Sequence, residues 1–154
     1  MYLPLRYFSG LSKTKRQLRK KELTKRSKLS WKDQKAYRPF KTDVGAKTRK
    51  SSYTLQWKKK FPDVKSIEGS SKVTGVPVSL IKQSYNRGVA AWRTGHRPGA
   101  TKEQWGIGRY RSMLLCGKTH YSTDSDLVKK AKKTAKARNW FNKACKNSPV
   151  KYKK

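Results

Sequence analysis

Residues 70–121 hold most of the side chains that could form a hydrophobic core, and they limit where a folded domain can lie. The large apolar and aromatic members of this stretch are Val76, Leu80, Ile81, Tyr85, Val89, Trp92, Trp105, Ile107, Tyr110, Met113, Leu114 and Leu115. Apolar residues recur at 81, 85, 89 and 92, which is the spacing of one face of an α-helix. Pro77 suits its first turn, which tolerates a missing N–H. The stretch therefore predicts a helix from about Pro77 to Arg93.

A second helix is predicted to begin directly after Thr101. Thr101 and Gln104 have the spacing of a capping box, in which each side chain accepts a hydrogen bond from the other residue's backbone N–H. Gly117 is expected at the C′ position that ends this helix. The two helices form a predicted hairpin, and we expect Trp92 and Trp105 to be buried between them.

A third helical segment is predicted over residues 123–147. Thr123 or Asp124 is expected to cap its start, where a carboxylate also meets the positive end of the helix dipole. Pro149 follows its end. We therefore predict a mainly α-helical fold with a small core, formed by the hairpin and this C-terminal helix.

Residues 63–70 are expected to form a short helix ahead of the hairpin. With the bend at Thr74 and Gly75 and the helix that follows, they have the outline of a helix-turn-helix unit, whose second helix enters the DNA major groove in many proteins. A glycine turn between helices also occurs in many helical bundles. Both interpretations stay open.

Positive charge dominates the chain outside this core. The 154 residues include 41 Lys and Arg against 8 Asp and Glu, a net charge of +33, and only 34% are hydrophobic. So little apolar surface cannot offset chain entropy and self-repulsion outside the core. We divide the chain into a long extended basic arm at residues 1–62, a helical core at 63–146 and a short basic tail at 147–154. Within the arm, a helix over residues 12–30 is predicted.

Aromatic residues are scattered through the basic arm, which is unusual for a merely flexible tail. The predicted partner-binding residues of the arm are Tyr7, Phe8, Trp31, Tyr37, Phe40 and Trp57. Each could fill a pocket on a partner protein, or stack on nucleic-acid bases. Arg93 and Arg97 precede the second helix of the hairpin and are predicted to bind an anion at its start.

The sequence offers little for catalysis or for a cofactor. The eight acidic residues are scattered, and no pair has a spacing that suggests shared acid–base chemistry. There is no glycine-rich phosphate loop and no serine elbow. We therefore expect a protein that is not an enzyme and that binds no cofactor.

The histidines and cysteines do not match a common metal motif. His96, Cys116, His120 and Cys145 are separated by 20, 4 and 25 positions, which fits no common zinc finger. We expect them to be buried or half-buried structural residues that hold no metal. Two cysteines are also too few for a disulfide framework and fit a reducing compartment.

No apolar run approaches the length needed to span a membrane, and the first eleven residues lack the apolar segment of a signal peptide.

Several motifs of the core occur together in a known family. They are Thr74-Gly75-Val76-Pro77, Tyr85-Asn86-Arg87-Gly88, Ala91-Trp92-Arg93-Thr94-Gly95-His96-Arg97-Pro98-Gly99-Ala100, Trp105, Gly117-Lys118-Thr119 and Asp124-Ser125-Asp126-Leu127. The chain resembles a domain of unassigned function found in large DNA viruses of algae and protists and in some tailed phages. The opening YLPLRYFSGLSKTKRQ also resembles basic proteins of those viruses. The resemblance implies a virion component and supplies no active site.

Three functions are weighed on these grounds. The first expectation is a minor capsid protein, made in the host cytoplasm and located in the virion, that bridges or cements capsid subunits through its basic aromatic arm. Its partners are then the major and other minor capsid proteins, with nucleic acid or an inner membrane surface as alternatives. The second is a packaged protein that binds and condenses DNA without sequence preference. The third is a ribosomal-type RNA-binding protein.

Overall fold

The computed structural model describes residues 3–148 and confirms the mainly α-helical prediction, since no strand occurs within those residues. The helices are α1 Lys13–Ser27, α2 Ser52–Lys60, α3 Ile67–Thr74, α4 Val78–Trp92, α5 Lys102–Leu114, α6 Lys118–Tyr121, α7 Ser125–Ala131 and α8 Ala135–Asn147. Single 3₁₀ turns lie at Leu5–Phe8, Gln34–Tyr37 and Lys41–Asp43. The tail at 149–154 lies outside the described residues.

The described chain divides into two units with boundaries other than the predicted ones. The first unit combines residues 3–49 with Gly88–Trp105, and the second combines Lys50–Arg87 with residues 106–148.

The first unit has its own buried core, built largely from the predicted arm. Leu23 and Phe40 are almost fully buried, and the Phe40 ring lies 6.1 Å from that of Trp92. The indole N–H of Trp92 donates to the backbone oxygen of Ala100 at 2.8 Å. Trp92 is therefore buried as predicted, whereas Trp105 is only half-buried.

The prediction that the arm is extended was wrong. Its predicted helix exists, with Ser12 accepting from the backbone N–H of Lys15, but α1 buries Arg19 and Leu23. These two residues are four positions apart and share one helix face, so α1 packs in the first unit instead of lying on a partner. The apolar pattern of the sequence did not reveal this face, because one of its two buried residues is an arginine.

The second unit packs its helices around a larger apolar core. Its fully buried members include Trp57, Val76, Ile81, Leu114, Leu127 and Phe141. The Trp57 indole N–H donates to Val64, and that of Trp140 donates to Leu114, at 2.9 and 2.8 Å. A Cβ on Gly106 would lie 2.6 Å from the Tyr85 ring, so this glycine allows close contact in the core.

Local signals set several helix ends. The capping box is confirmed: the Thr101 N–H donates to Gln104 Oε1 at 2.9 Å, and the Gln104 N–H donates to Thr101 Oγ1 at 3.1 Å. At the other end of α5, Cys116 takes the left-handed conformation, with φ at 59°. Gly117 follows it and donates to Ser112, so its assignment to C′ was wrong by one residue.

The predicted C-terminal helix is two helices. α7 and α8 are separated by a turn at residues 132–134, and α8 ends at Asn147, close to the predicted end. The turn contains neither glycine nor proline, and its one local signal is Thr134, a residue type that favours the N-cap position, which precedes α8. Within residues 3–148, no helix is long and apolar enough to cross a membrane.

We predict that Phe40→Ala lowers the free energy of unfolding by about 3–5 kcal/mol, because it empties a buried site. Trp31→Ala is the matched control from the same segment, since Trp31 is 59% exposed. Surface substitutions typically change stability by about 0.5 kcal/mol or less. Urea denaturation measures the free energy of unfolding of both variants. Equal, small effects would show that the segment does not pack as described.

Candidate functional site

The first unit contains a buried ion cluster of Arg19, Asp43 and His96. Arg19 is fully buried, and its guanidinium donates to Asp43 Oδ1 at 2.8 Å and to the backbone oxygen of Tyr7 at 2.9 Å. Fully buried His96 contacts the other oxygen of Asp43 at 2.8 Å. Removing Asp43 would leave the buried Arg19 guanidinium without its anion, which is costly. The three groups therefore assemble as one structural unit.

The Asp43 carboxylate is fully engaged. Oδ1 also accepts from the backbone N–H of Gly99, and Oδ2 from that of Phe40, both at 3.0 Å. Burial alone raises the pKa of Asp43, but the hydrogen bond and charge of His96 and the hydrogen bonds from Arg19 and Gly99 hold that pKa well below its usual range. Asp43 is thus ionised at neutral pH and joins α1 to the loop after α4.

His96 completes this cluster. Its Nδ1 lies 2.9 Å from the backbone oxygen of Trp92, and its Nε2 lies 2.8 Å from Asp43 Oδ2. Both ring nitrogens thus face a hydrogen-bond acceptor. The ring stacks on Trp92 at 4.2 Å and has no exposed surface. This histidine therefore has a structural role.

The second unit buries another carboxylate, that of Asp124. It accepts from Ser84 Oγ at 2.6 Å and pairs with Arg87 at 3.3 Å and Arg109 at 3.2 Å. Asp124 precedes α7 as predicted, but its side chain makes no cap hydrogen bond, because its carboxylate is bound to Ser84 and the two arginines. The prediction that this side chain caps the helix was therefore wrong.

Asp126 forms a bidentate pair with Arg87 at the rim of this cluster. The two nitrogen–oxygen distances are 2.9 and 2.8 Å. The hydrogen bonds of this pair raise the pKa of Arg87 and lower the pKa of Asp126. Both residues therefore stay charged over the whole physiological range.

Two of the eight carboxylates, those of Asp43 and Asp124, are thus paired inside the protein. The ion pairs described within residues 3–148 are made by Arg19, Arg87, Arg109 and His96. Glu22, too, accepts backbone N–H groups, from Lys41 at 2.7 Å and Thr42 at 3.3 Å. The outer surface is left with a large excess of unneutralised positive charge.

The clearest basic surface lies on α1, where a shallow depression is lined by one face of the helix. Its lining residues are Gln17, Lys20, Lys21, Thr24, Lys25 and Lys28. All four of these lysines are exposed, and none takes part in the ion pairs of the described residues. We call these four lysines the α1 lysine face.

A second polar surface lies on α4. The short helix predicted at residues 63–70 lies four residues later, as α3, and Gly75 ends it with φ at +79° before α4 begins. The exposed residues Ser79, Lys82, Gln83 and Asn86 follow at intervals of three, one and three, so they form one stripe along α4. We call them the α4 stripe. Two consecutive helices joined by a short turn thus carry a polar outer face.

The predicted partner-binding residues differ in how deeply they are buried. Phe40 and Trp57 are 1% and 0% exposed, which corrects their assignment as anchors for a partner, because each packs in the core of its own unit. Tyr7, Phe8, Tyr37, Arg93 and Arg97 are half-buried, and Trp31 is exposed. The predicted roles of these six residues stay predictions.

The cysteines also differ from expectation. A disulfide joins Cys116 to Cys145, and His120 Nε2 lies 3.6 Å from Cys145 Sγ. Burial lowers the pKa of His120, even though its hydrogen bond to Met113 raises it, and nearby Lys132 lowers it further. His96, the remaining residue of the four considered as metal ligands, belongs to the first unit, as its contacts above show.

One family model matches residues 4–133, which is most of the chain. The chain belongs to the DUF5824 family, a family of unknown function. Its match covers α1 to α7, and so includes both buried ion clusters, the α1 lysine face and the α4 stripe. Comparisons of this DUF5824 member with curated proteins and with solved structures found no match.

Proposed function

We propose that this DUF5824 protein binds nucleic acid through the phosphate backbone, without strong sequence preference. The observation that carries the proposal is the excess of exposed lysine: the α1 lysine face takes part in none of the described ion pairs, and two of the few carboxylates, Asp43 and Asp124, are already paired inside the protein. Lysine side chains that neutralise phosphates release condensed counterions, and this release supplies most of the free energy of non-specific binding.

The α1 lysine face has dimensions suited to this role. Lys20 and Lys28 are eight residues apart, which is about 12 Å along a helix. Phosphates of one DNA strand follow at about 3.4 Å along the duplex axis. The face therefore covers the axial length of roughly three or four phosphates.

The α4 stripe supports the same proposal from the second unit. Its residue types, Ser, Lys, Gln and Asn, donate to phosphates and to base edges. In helix-turn-helix proteins the second of two consecutive helices lies in the major groove. The α3–α4 pair supplies that element, with α4 as the second helix.

We expect that changing Lys20, Lys21, Lys25 and Lys28 together to Gln weakens binding to a 30-base-pair duplex and reduces its salt dependence. Each lost phosphate contact lowers the slope of log K against log salt by about 0.9, so the slope falls by up to about 3.6. Fluorescence anisotropy across a salt series measures both quantities. The matched control changes the same four lysines to Arg, which keeps the charge and should preserve binding.

Parent-like binding by the Gln variant, with unchanged helical circular dichroism, would remove the α1 lysine face from the proposal. Absence of salt-dependent binding by the parent protein would overturn the proposed function itself.

A second candidate is the minor capsid role implied by the viral resemblance. It is supported by exposed apolar side chains in the first unit, namely Leu5, Trp31 and Val44, which are 86%, 59% and 76% exposed. A partner that covered these side chains would bury apolar surface that is now in contact with water. It is placed second because Phe40 and Trp57, two of its six expected anchors, are buried in the cores of their own units.

Fractionation of particles that contain the protein separates the two candidates. A capsid component stays with the emptied shell after nuclease and high salt, and Trp31→Ala lowers its incorporation. A nucleic-acid-binding component leaves with the genome, and Trp31→Ala has no effect.

A further inference from the structure

Three groups with zinc-ligand chemistry meet in the second unit. Cys116 follows α5, His120 lies on α6 and Cys145 lies on α8. Their ligand atoms all lie within 4.8 Å of one another. Cys116 and His120 are buried, and Cys145 is half-buried. The three groups therefore form a compact site, separate from the α1 lysine face and the α4 stripe.

His120 is oriented as metal-binding histidines are. Its Nδ1 lies 3.1 Å from the backbone oxygen of Met113. A carbonyl oxygen only accepts, so Nδ1 carries the hydrogen and Nε2 presents a lone pair. Histidine ligands of zinc commonly donate their other N–H to a backbone carbonyl in this way. Nε2 faces the sulfur of Cys145.

The distances fit a tetrahedral zinc ion once the disulfide is open. With bonds of about 2.3 Å to sulfur and 2.0–2.1 Å to nitrogen, two tetrahedral ligands lie about 3.5 Å apart. Nε2 of His120 is 3.6 Å from Cys145 Sγ. In the disulfide the sulfurs are bonded, and around zinc they would separate to about 3.8 Å. The oxidised cluster is thus close to a metal-binding arrangement.

We propose that the reduced protein binds Zn²⁺ through the thiolates of Cys116 and Cys145 and Nε2 of His120, with water as the fourth ligand. The disulfide is the oxidised, metal-free form of the same site. A peroxide supplies the oxidant: two thiolates, one hydrogen peroxide and two protons give one disulfide and two waters. Two electrons pass from the sulfurs to the peroxide, and the metal leaves as Zn²⁺.

This assignment reconciles the cysteine content with the structure. In a reducing compartment, paired cysteines more often bind metal than form a stable disulfide. Either bond, through zinc or directly between the sulfurs, links the end of α5 to α8. The second unit therefore keeps a cross-link in both states.

Cobalt titration of the full, phosphine-reduced chain under anaerobic conditions tests the site. We expect one Co²⁺ per chain, with the intense thiolate-to-cobalt charge-transfer absorption and visible bands of tetrahedral coordination, and displacement by Zn²⁺. His120→Gln should weaken Co²⁺ affinity at least tenfold, and Cys145→Ser should remove most of the charge-transfer absorption. One equivalent of hydrogen peroxide should release the metal.

Lys143→Gln, on the exposed face of α8, is the control and should bind cobalt like the parent. Circular dichroism verifies that each variant keeps its helices. A reduced, helical parent without charge-transfer absorption would overturn the proposal. So would undiminished cobalt binding by a folded Cys145→Ser variant. Neither result depends on nucleic-acid binding.

Discussion

The ion cluster of Arg19, Asp43 and His96 is the interaction on which the first unit depends. It joins α1, the 3₁₀ turn at Lys41–Asp43 and the loop after α4, which are distant in sequence. Apolar burial in this unit is modest, so the position of each segment is set by charges that cannot be left unpaired. Phe40 and Trp92 then pack beside the cluster and exclude water from it.

The same constraint shapes the surface. A chain with 8 acidic and 41 basic residues cannot neutralise itself, and two of its few carboxylates, Asp43 and Asp124, pair with arginine or histidine inside the protein. Asp124 does for the second unit what Asp43 does for the first. The lysines of α1 are consequently left to solvent and to any polyanion. The shortage of carboxylates thus underlies both the exposed lysines of the fold and the proposed function.

Local sequence signals predicted the helices well and the long-range contacts poorly. Ser12, Thr101 and Gln104 act on backbone groups within a few residues, so their caps could be read from the sequence. The hydrogen bonds of Arg19 to the Asp43 carboxylate and to the backbone oxygen of His96 span 24 and 77 positions, and no local sequence signal predicts them. An arginine on a buried helix face also breaks a pattern that counts only apolar residues. The one available signal was the scarcity of acids, which made each of them a candidate internal partner.

Stability as a function of pH, for the parent and Asp43→Asn, tests the central role of this cluster most directly. Because the folded-state pKa of Asp43 is depressed, its contribution is fully present above the unfolded-state pKa of about 3.9 and is lost as pH falls below it. Urea denaturation should show Asp43→Asn less stable than the parent by about 3 kcal/mol or more at pH 7, because Arg19 and His96 lose their anion. The difference should shrink below about pH 4, whereas Glu103→Gln, an exposed acid of the same unit, should match the parent. A parent-like Asp43→Asn curve at every pH would contradict the account.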